Sequence, residues 1–135
     1  MRILVIILLI LAAHFSLTPF APAPVGQGTF YWPFAADSKS WLALIGGLPR
    51  QSGSVVTPLL AGLAGLGFLS AVIGLFGIAV PADVWPLLVA GASAASLLLY
   101  ILYIGPWAIL PMAIDAALLW GVLAQHWSVA ALRGL

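Results

Sequence analysis

The sequence predicts an all-α integral membrane protein: four transmembrane helices in a small bundle, with a long first loop that carries an aromatic interfacial helix. Three observations predict it. Charged residues make up 5% and hydrophobic residues 64% of 135, whereas about a quarter of a soluble domain is charged. Six of the seven charged residues (Arg2, Asp37, Lys39, Arg50, Asp83, Arg133) lie between the apolar runs or at their ends, and only Asp115 falls inside one. Trp and Tyr recur at the ends of those runs, where an aromatic belt meets the headgroups.

The first apolar run, about residues 3–18, stands directly behind Met1-Arg2. Ala21-Pro22-Ala23 resembles a signal-peptidase site, but Pro24 in the following position disfavours cleavage. The run therefore reads as a retained helix at the short end of the spanning range. Residues 19–54 form the long connection. Pro19, Pro22 and Pro24 hold its start extended. Phe30, Tyr31, Trp32, Phe34 and Trp41 supply an interfacial cluster, with Asp37 or Ser38 capping a short helix that Gly46-Gly47 and Pro49 end. An aromatic anchor is the reading here, with a ligand-binding cap as the alternative.

Three further spans follow, about 55–80, 84–104 and 106–127, the second entered through Pro81-Ala82-Asp83. Trp85, Trp107 and Trp127 join Tyr31, Trp32 and Trp41 as interfacial anchors. Small residues supply close helix approach in lipid. They form stripes at Gly67, Ala71, Gly74 and Gly77, at Gly91 and Ala95 with Ala92 and Ser96 one face round, and at Ala113, Ala117, Gly121 and Ala124. The leucine-rich first span lacks such a stripe and is expected at the periphery or against another protein. Pro111, inside the fourth span, is expected to kink it. Arg2 and Arg133 share one side of this topology against Lys39 and Arg50. Two against two is a tie, which the free amino terminus and the short distance of Arg2 from its helix break towards the cell (cytoplasmic) membrane with both termini in the cytoplasm.

Asp115 is the first candidate for function, since an ionisable side chain at this depth needs a partner, a proton or a task. It sits about 2 Å from the middle of its span, and Ser70, Ser93 and Ser96 lie within about 4 Å of the middle of theirs. They form an expected polar layer with no Lys, Arg or His at its depth, so desolvation is expected to keep the carboxyl protonated. The readings are a neutral packing residue, a proton-relay carboxylate, and a contact to a cation or a neighbouring subunit. His14 and His126 are the only imidazoles and possible ligands for haem or a chlorophyll-type pigment. They are expected about 20 Å or more apart along the membrane normal, so one haem cannot use both.

There are no cysteines, which excludes disulfides, thiolate metal sites and iron–sulfur clusters. Net charge is +1, too little for nucleic acid. No phosphate-cradling, dinucleotide, zinc-protease or nucleophile-elbow motif occurs. Asp37 and Asp83 fall on opposite sides of the topology and cannot pair. No catalytic residue, metal site or resident cofactor is expected.

Four short spans with a long first connection resemble the DoxX-type small bacterial membrane proteins, some of which are subunits of quinone-linked oxidoreductases. The resemblance is one of layout over most of the chain and assigns no residue. The functional expectation is a non-catalytic accessory or scaffolding subunit of a larger membrane complex of a respiratory or photosynthetic kind, with the bilayer and other membrane subunits as partners. The alternatives are conduction of protons or a small solute through Asp115, and pigment or haem binding at His14 or His126.

Overall fold

A computed structural model describes residues 1–17, 30–31, 34–35, 50–102 and 108–134, with side chains at 1–17, 59–101 and 108–134. Its helices in chain order are α1 (Arg2–Leu17), α2 (Arg50–Leu75), α3 (Trp85–Leu102), α4 (Ile109–Leu123) and α5 (Val129–Arg133). Between α1 and α2, β1 (Phe30–Tyr31) pairs antiparallel with β2 (Phe34–Ala35), Phe30 opposite Ala35 and Tyr31 opposite Phe34. The expected interfacial helix, with Trp32 and Trp41, lies outside the described residues, as do Trp107 and the side chain of Tyr31.

The four long helices run up and down against one another. Arg2 at the start of α1 reaches Leu75 at the end of α2, and a methyl group added at Gly65 would collide with Leu17. Those two helices are therefore antiparallel. Trp85 at the start of α3 donates its indole N–H to the Ala71 carbonyl at 2.8 Å. A Cβ at Gly67 would stand 2.8 Å from the Ala92 Cβ, and one at Gly74 2.9 Å from Trp85 Cδ1. The small residues of α2 thus hold α3 at close range, as their spacing predicts. Phe68, Leu75, Trp85, Val89, Leu9 and Leu118 fill the core between the helices, each with no exposed surface.

The membrane reading is overturned. Among the described residues no helix is long and apolar enough to cross a membrane. A span needs about 20 apolar residues to cover about 30 Å of hydrocarbon; α1 has 16 residues and α4 has 15. Of α2, residues 59–75 carry described side chains, and its first turns bring in Arg50 and Gln51. α3, with 18 residues, rises about 27 Å at 1.5 Å per residue. The expected class of four transmembrane spans, the multi-pass description and the placement in the cell membrane with cytoplasmic termini fall together.

Each shortening has a local cause. The second expected span ran to Val80, but α2 ends at Leu75 because the chain turns left-handed at Gly77 (φ 78°) and Ala79 (φ 62°). The fourth expected span ran to residue 127, but α4 ends at Leu123. His126 then takes φ 51°, and the Trp127 N–H donates back to the Gly121 carbonyl at 3.0 Å. This folds Trp127 over Gly121, where any side chain would strike the indole. Ser128 caps α5 by accepting from the Ala131 N–H at 3.2 Å, and Gly134 closes it at φ 75°. A short amphipathic hook, anchored by buried Val129 and Leu132, replaces the end of a span.

Two packing expectations change as well. Pro111 does not kink a helix interior, because α4 opens at Ile109 and places it in the first turn, where a missing N–H removes no intrahelical bond. Ala113, Ala117 and Ala124 are exposed and only Gly121 of that stripe is buried; α4 turns Pro111, Ile114, Asp115, Leu118 and Val122 inward instead. Nor is α1 peripheral. Val5, Leu9, Ala12, Ala13, Phe15 and Ser16 are all buried.

Candidate functional site: a buried carboxyl–hydroxyl cluster

Helical spacing on three elements converges on one polar cluster. Ser16 lies in the last turn of α1, Ser96 and Tyr100 lie one turn apart on α3, and Asp115 faces inward from the second turn of α4. Ser96 donates its hydroxyl to Asp115 Oδ2. Ser16 and Ser96 share a hydrogen bond of 3.1 Å between their hydroxyl oxygens. Tyr100 faces both Asp115 and Ser16. Ser16, Ser96 and Tyr100 have no exposed surface and Asp115 has 1%.

The electrostatics follow from that seclusion. Burial raises the Asp115 carboxyl from its ordinary range to about 7, and the Ser96 hydrogen bond pulls weakly the other way. Around neutral pH the group therefore divides between its two protonation states. Burial, reinforced by the charge of Asp115, drives the Tyr100 phenol further above its ordinary value, against a small opposing effect of Ser16. Tyr100 thus stays neutral and serves as a hydrogen-bonding wall. One acid, two serine hydroxyls and a phenol hold or release a single proton, but they present no second titrating group at neutral pH for general acid–base work.

The structure brings together some of the expected site and scatters the rest. Ser96 joins Asp115. Ser93 is buried one turn away, its hydroxyl without a hydrogen-bond partner among the described residues. Ser70 is half-buried and lines an open groove of about 470 Å³ between α2 and α3, beside Leu63, Leu66 and Leu88. His14, exposed in the last turn of α1, and His126, exposed beyond α4, lie at opposite ends of the bundle. Among the described residues no three metal-ligating side chains cluster. Trp85 is fully buried and Trp127 packs on Gly121, so both are structural in this fold.

Sequence reasoning missed Ser16 and Tyr100. Both lie away from the middle of their apolar runs, about 8 and 9 Å at 1.5 Å per residue, outside the central layer that contains Asp115. The available signal was the pair Ser96 and Tyr100, four residues apart on one helix face.

No protein-family model, no curated protein and no solved structure matches the chain. The resemblance in layout to the DoxX-type proteins gains no support from them.

Proposed function

We propose that this chain is a non-catalytic structural subunit, a small helical unit that completes a larger assembly. One observation carries the proposal: large apolar side chains stand exposed on the outer face of every long helix. Ile3, Ile7 and Ile10 project from α1; Leu59, Leu63, Leu66 and Ile73 from α2; Leu87 and Leu98 from α3; Ile109, Trp120 and Leu123 from α4. Contiguous apolar surface on this scale marks interaction faces. Among the described residues, Ser16, Ser96 and Asp115 are turned inward and bonded to one another.

The test is the composition of the native particle, purified in a mild neutral detergent that keeps apolar faces covered and weighed by native mass spectrometry. Defined co-purifying subunits at fixed stoichiometry are expected. A homogeneous monomer without other polypeptides would remove the reading.

A further inference from the structure

At the far end of the bundle from Ser16, two arginines meet at one carbonyl. Arg2 of α1 donates from Nη2 to the Leu75 oxygen at 3.2 Å, and Arg133 of α5 donates from Nε to the same oxygen at 3.0 Å. The Arg2 guanidinium also lies over the Phe76 ring, 5.2 Å from its centre. A carbonyl oxygen offers two lone pairs and each guanidinium carries five N–H donors, so Leu75 is saturated while most of the donors are not. Arg2 Nε and Arg133 Nη2 are shut from solvent with no partner among the described residues. Asp83 is exposed in the 81–84 turn and does not take those two nitrogens.

Two cations drawn to one neutral oxygen repel each other, and the helix C-terminus offsets only part of that charge. Unpartnered donors in this setting favour an incoming acceptor. We infer that Arg2 and Arg133 form an anion site for a phosphate-type oxyanion, which bridges the two guanidinium groups. A tetrahedral oxyanion presents several charged acceptor oxygens, and guanidinium binds them in bidentate fashion, which ammonium cannot do. Gly77 stands at φ 78°, and a Cβ there would lie 2.6 Å from Arg133 Nη2, so the bare backbone is what lets the Arg133 guanidinium lie beside the end of α2. Both arginines are half-buried, so part of each side chain faces solvent, while Arg2 Nε and Arg133 Nη2 are reached only if the guanidinium groups shift to receive the anion.

The same chemistry belongs to free phosphate and to the phosphate headgroup of an amphiphile, and two arms of one experiment separate them. The full chain in neutral detergent is melted against rising inorganic phosphate at constant ionic strength, and separately against dodecyl phosphate mixed into the neutral micelles. A saturable rise in melting midpoint is expected in at least one arm. Response to inorganic phosphate identifies a free oxyanion as sufficient, and response to dodecyl phosphate alone identifies a headgroup. Phosphate also stabilises folds generally by exclusion from the surface, but that effect does not saturate and is indifferent to these side chains.

Arg2→Gln and Arg133→Gln are each expected to raise the half-saturating concentration about tenfold or more, the equivalent of one charged hydrogen bond. Arg133→Lys, which keeps the charge and loses the fork, falls between wild type and Arg133→Gln. The inference is overturned if neither arm saturates. It is equally overturned if the double Gln variant, shown to be helical by circular dichroism, keeps the wild-type response.

Discussion

The two ends of this bundle handle polar groups in opposite ways. Near the end of α1, Asp115 is withdrawn from water and accepts from the Ser96 hydroxyl of α3, which in turn bonds Ser16 of α1. At the other end Arg2 and Arg133 are half-buried and gather on a backbone carbonyl. The difference reflects what each charge can do when desolvated. A carboxyl can accept a proton and become an ordinary hydrogen-bonding group. A guanidinium cannot lose its charge, so it stays at a helix end where the exposed carbonyls attract it. One site can be neutralised by a proton, and the other only by an external negative charge.

The largest effect that tests this contrast is a dependence of stability on pH. The Asp115 carboxyl stands at about 7 in the fold against 3.8 in its ordinary state. Between those values the folded chain binds more protons than the unfolded one. Stability is therefore full below about pH 4, falls as pH rises through the window, and levels off above about 7. Taken whole, the gap corresponds to roughly 4 kcal/mol. Asp115→Asn keeps the shape and cannot ionise, so chemical denaturation series at pH 4, 5.5 and 7 should be nearly flat for that variant and descending for wild type. A wild-type curve that rises across the same window would show the carboxyl to be ionised in the fold.

Ser96→Ala follows in size. It deletes the hydroxyl that links Ser16 to Asp115 and leaves two buried polar groups short of a partner, a loss of about 2 kcal/mol. Because the Ser96 bond lowers the Asp115 value, the descending limb should also extend to higher pH. Equilibrium unfolding at several pH values reads both effects. If the limb does not move, Ser96 is packing against Asp115 rather than bonding to it.

These residues also show what was legible in the sequence. Asp115 stood out as the lone charge in an apolar run, and the absence of a cation at its depth pointed to a carboxyl raised by burial. Ser96 was named with it, and the small-residue face of α2 marked the contact with α3. The turn at Pro81–Asp83 was placed by its punctuation. What failed was length. Apolar composition shows that a segment avoids water, but it does not show where a helix stops. The stops lie in backbone conformations at Gly77, Ala79 and His126, two of which are not glycine and carry no compositional signal. The same error hid the basic end: with the last span run through to residue 127, Arg133 became a trailing charge rather than the tip of a buried hook.

Arg133→Gln comes next, with an expected loss of about 1 to 2 kcal/mol in the absence of added phosphate, because a charged hydrogen bond to the end of α2 is removed. Unlike Asp115→Asn, this variant should show no change in the descent between pH 4 and pH 7. Independent behaviour of the two sites is what their separation along the bundle requires, since distant substitutions add. A double variant whose loss departs from the sum by more than about 0.5 kcal/mol would join the two ends into one network.

Ala79→Gly is the smallest change and isolates the backbone at the basic end. Ala79 holds φ 62°, which an L-residue adopts at about 1 kcal/mol or more above glycine. It is exposed, so no packing is lost. Glycine offsets part of the gain through the greater freedom of its unfolded chain, leaving a net stabilisation of about 0.5 kcal/mol. Thermal melts compared with wild type measure it. A variant less stable than wild type would mean that the left-handed turn is set by the Ala79 methyl itself. The approach of Arg2 to Leu75 would then depend on a residue that neither arginine touches.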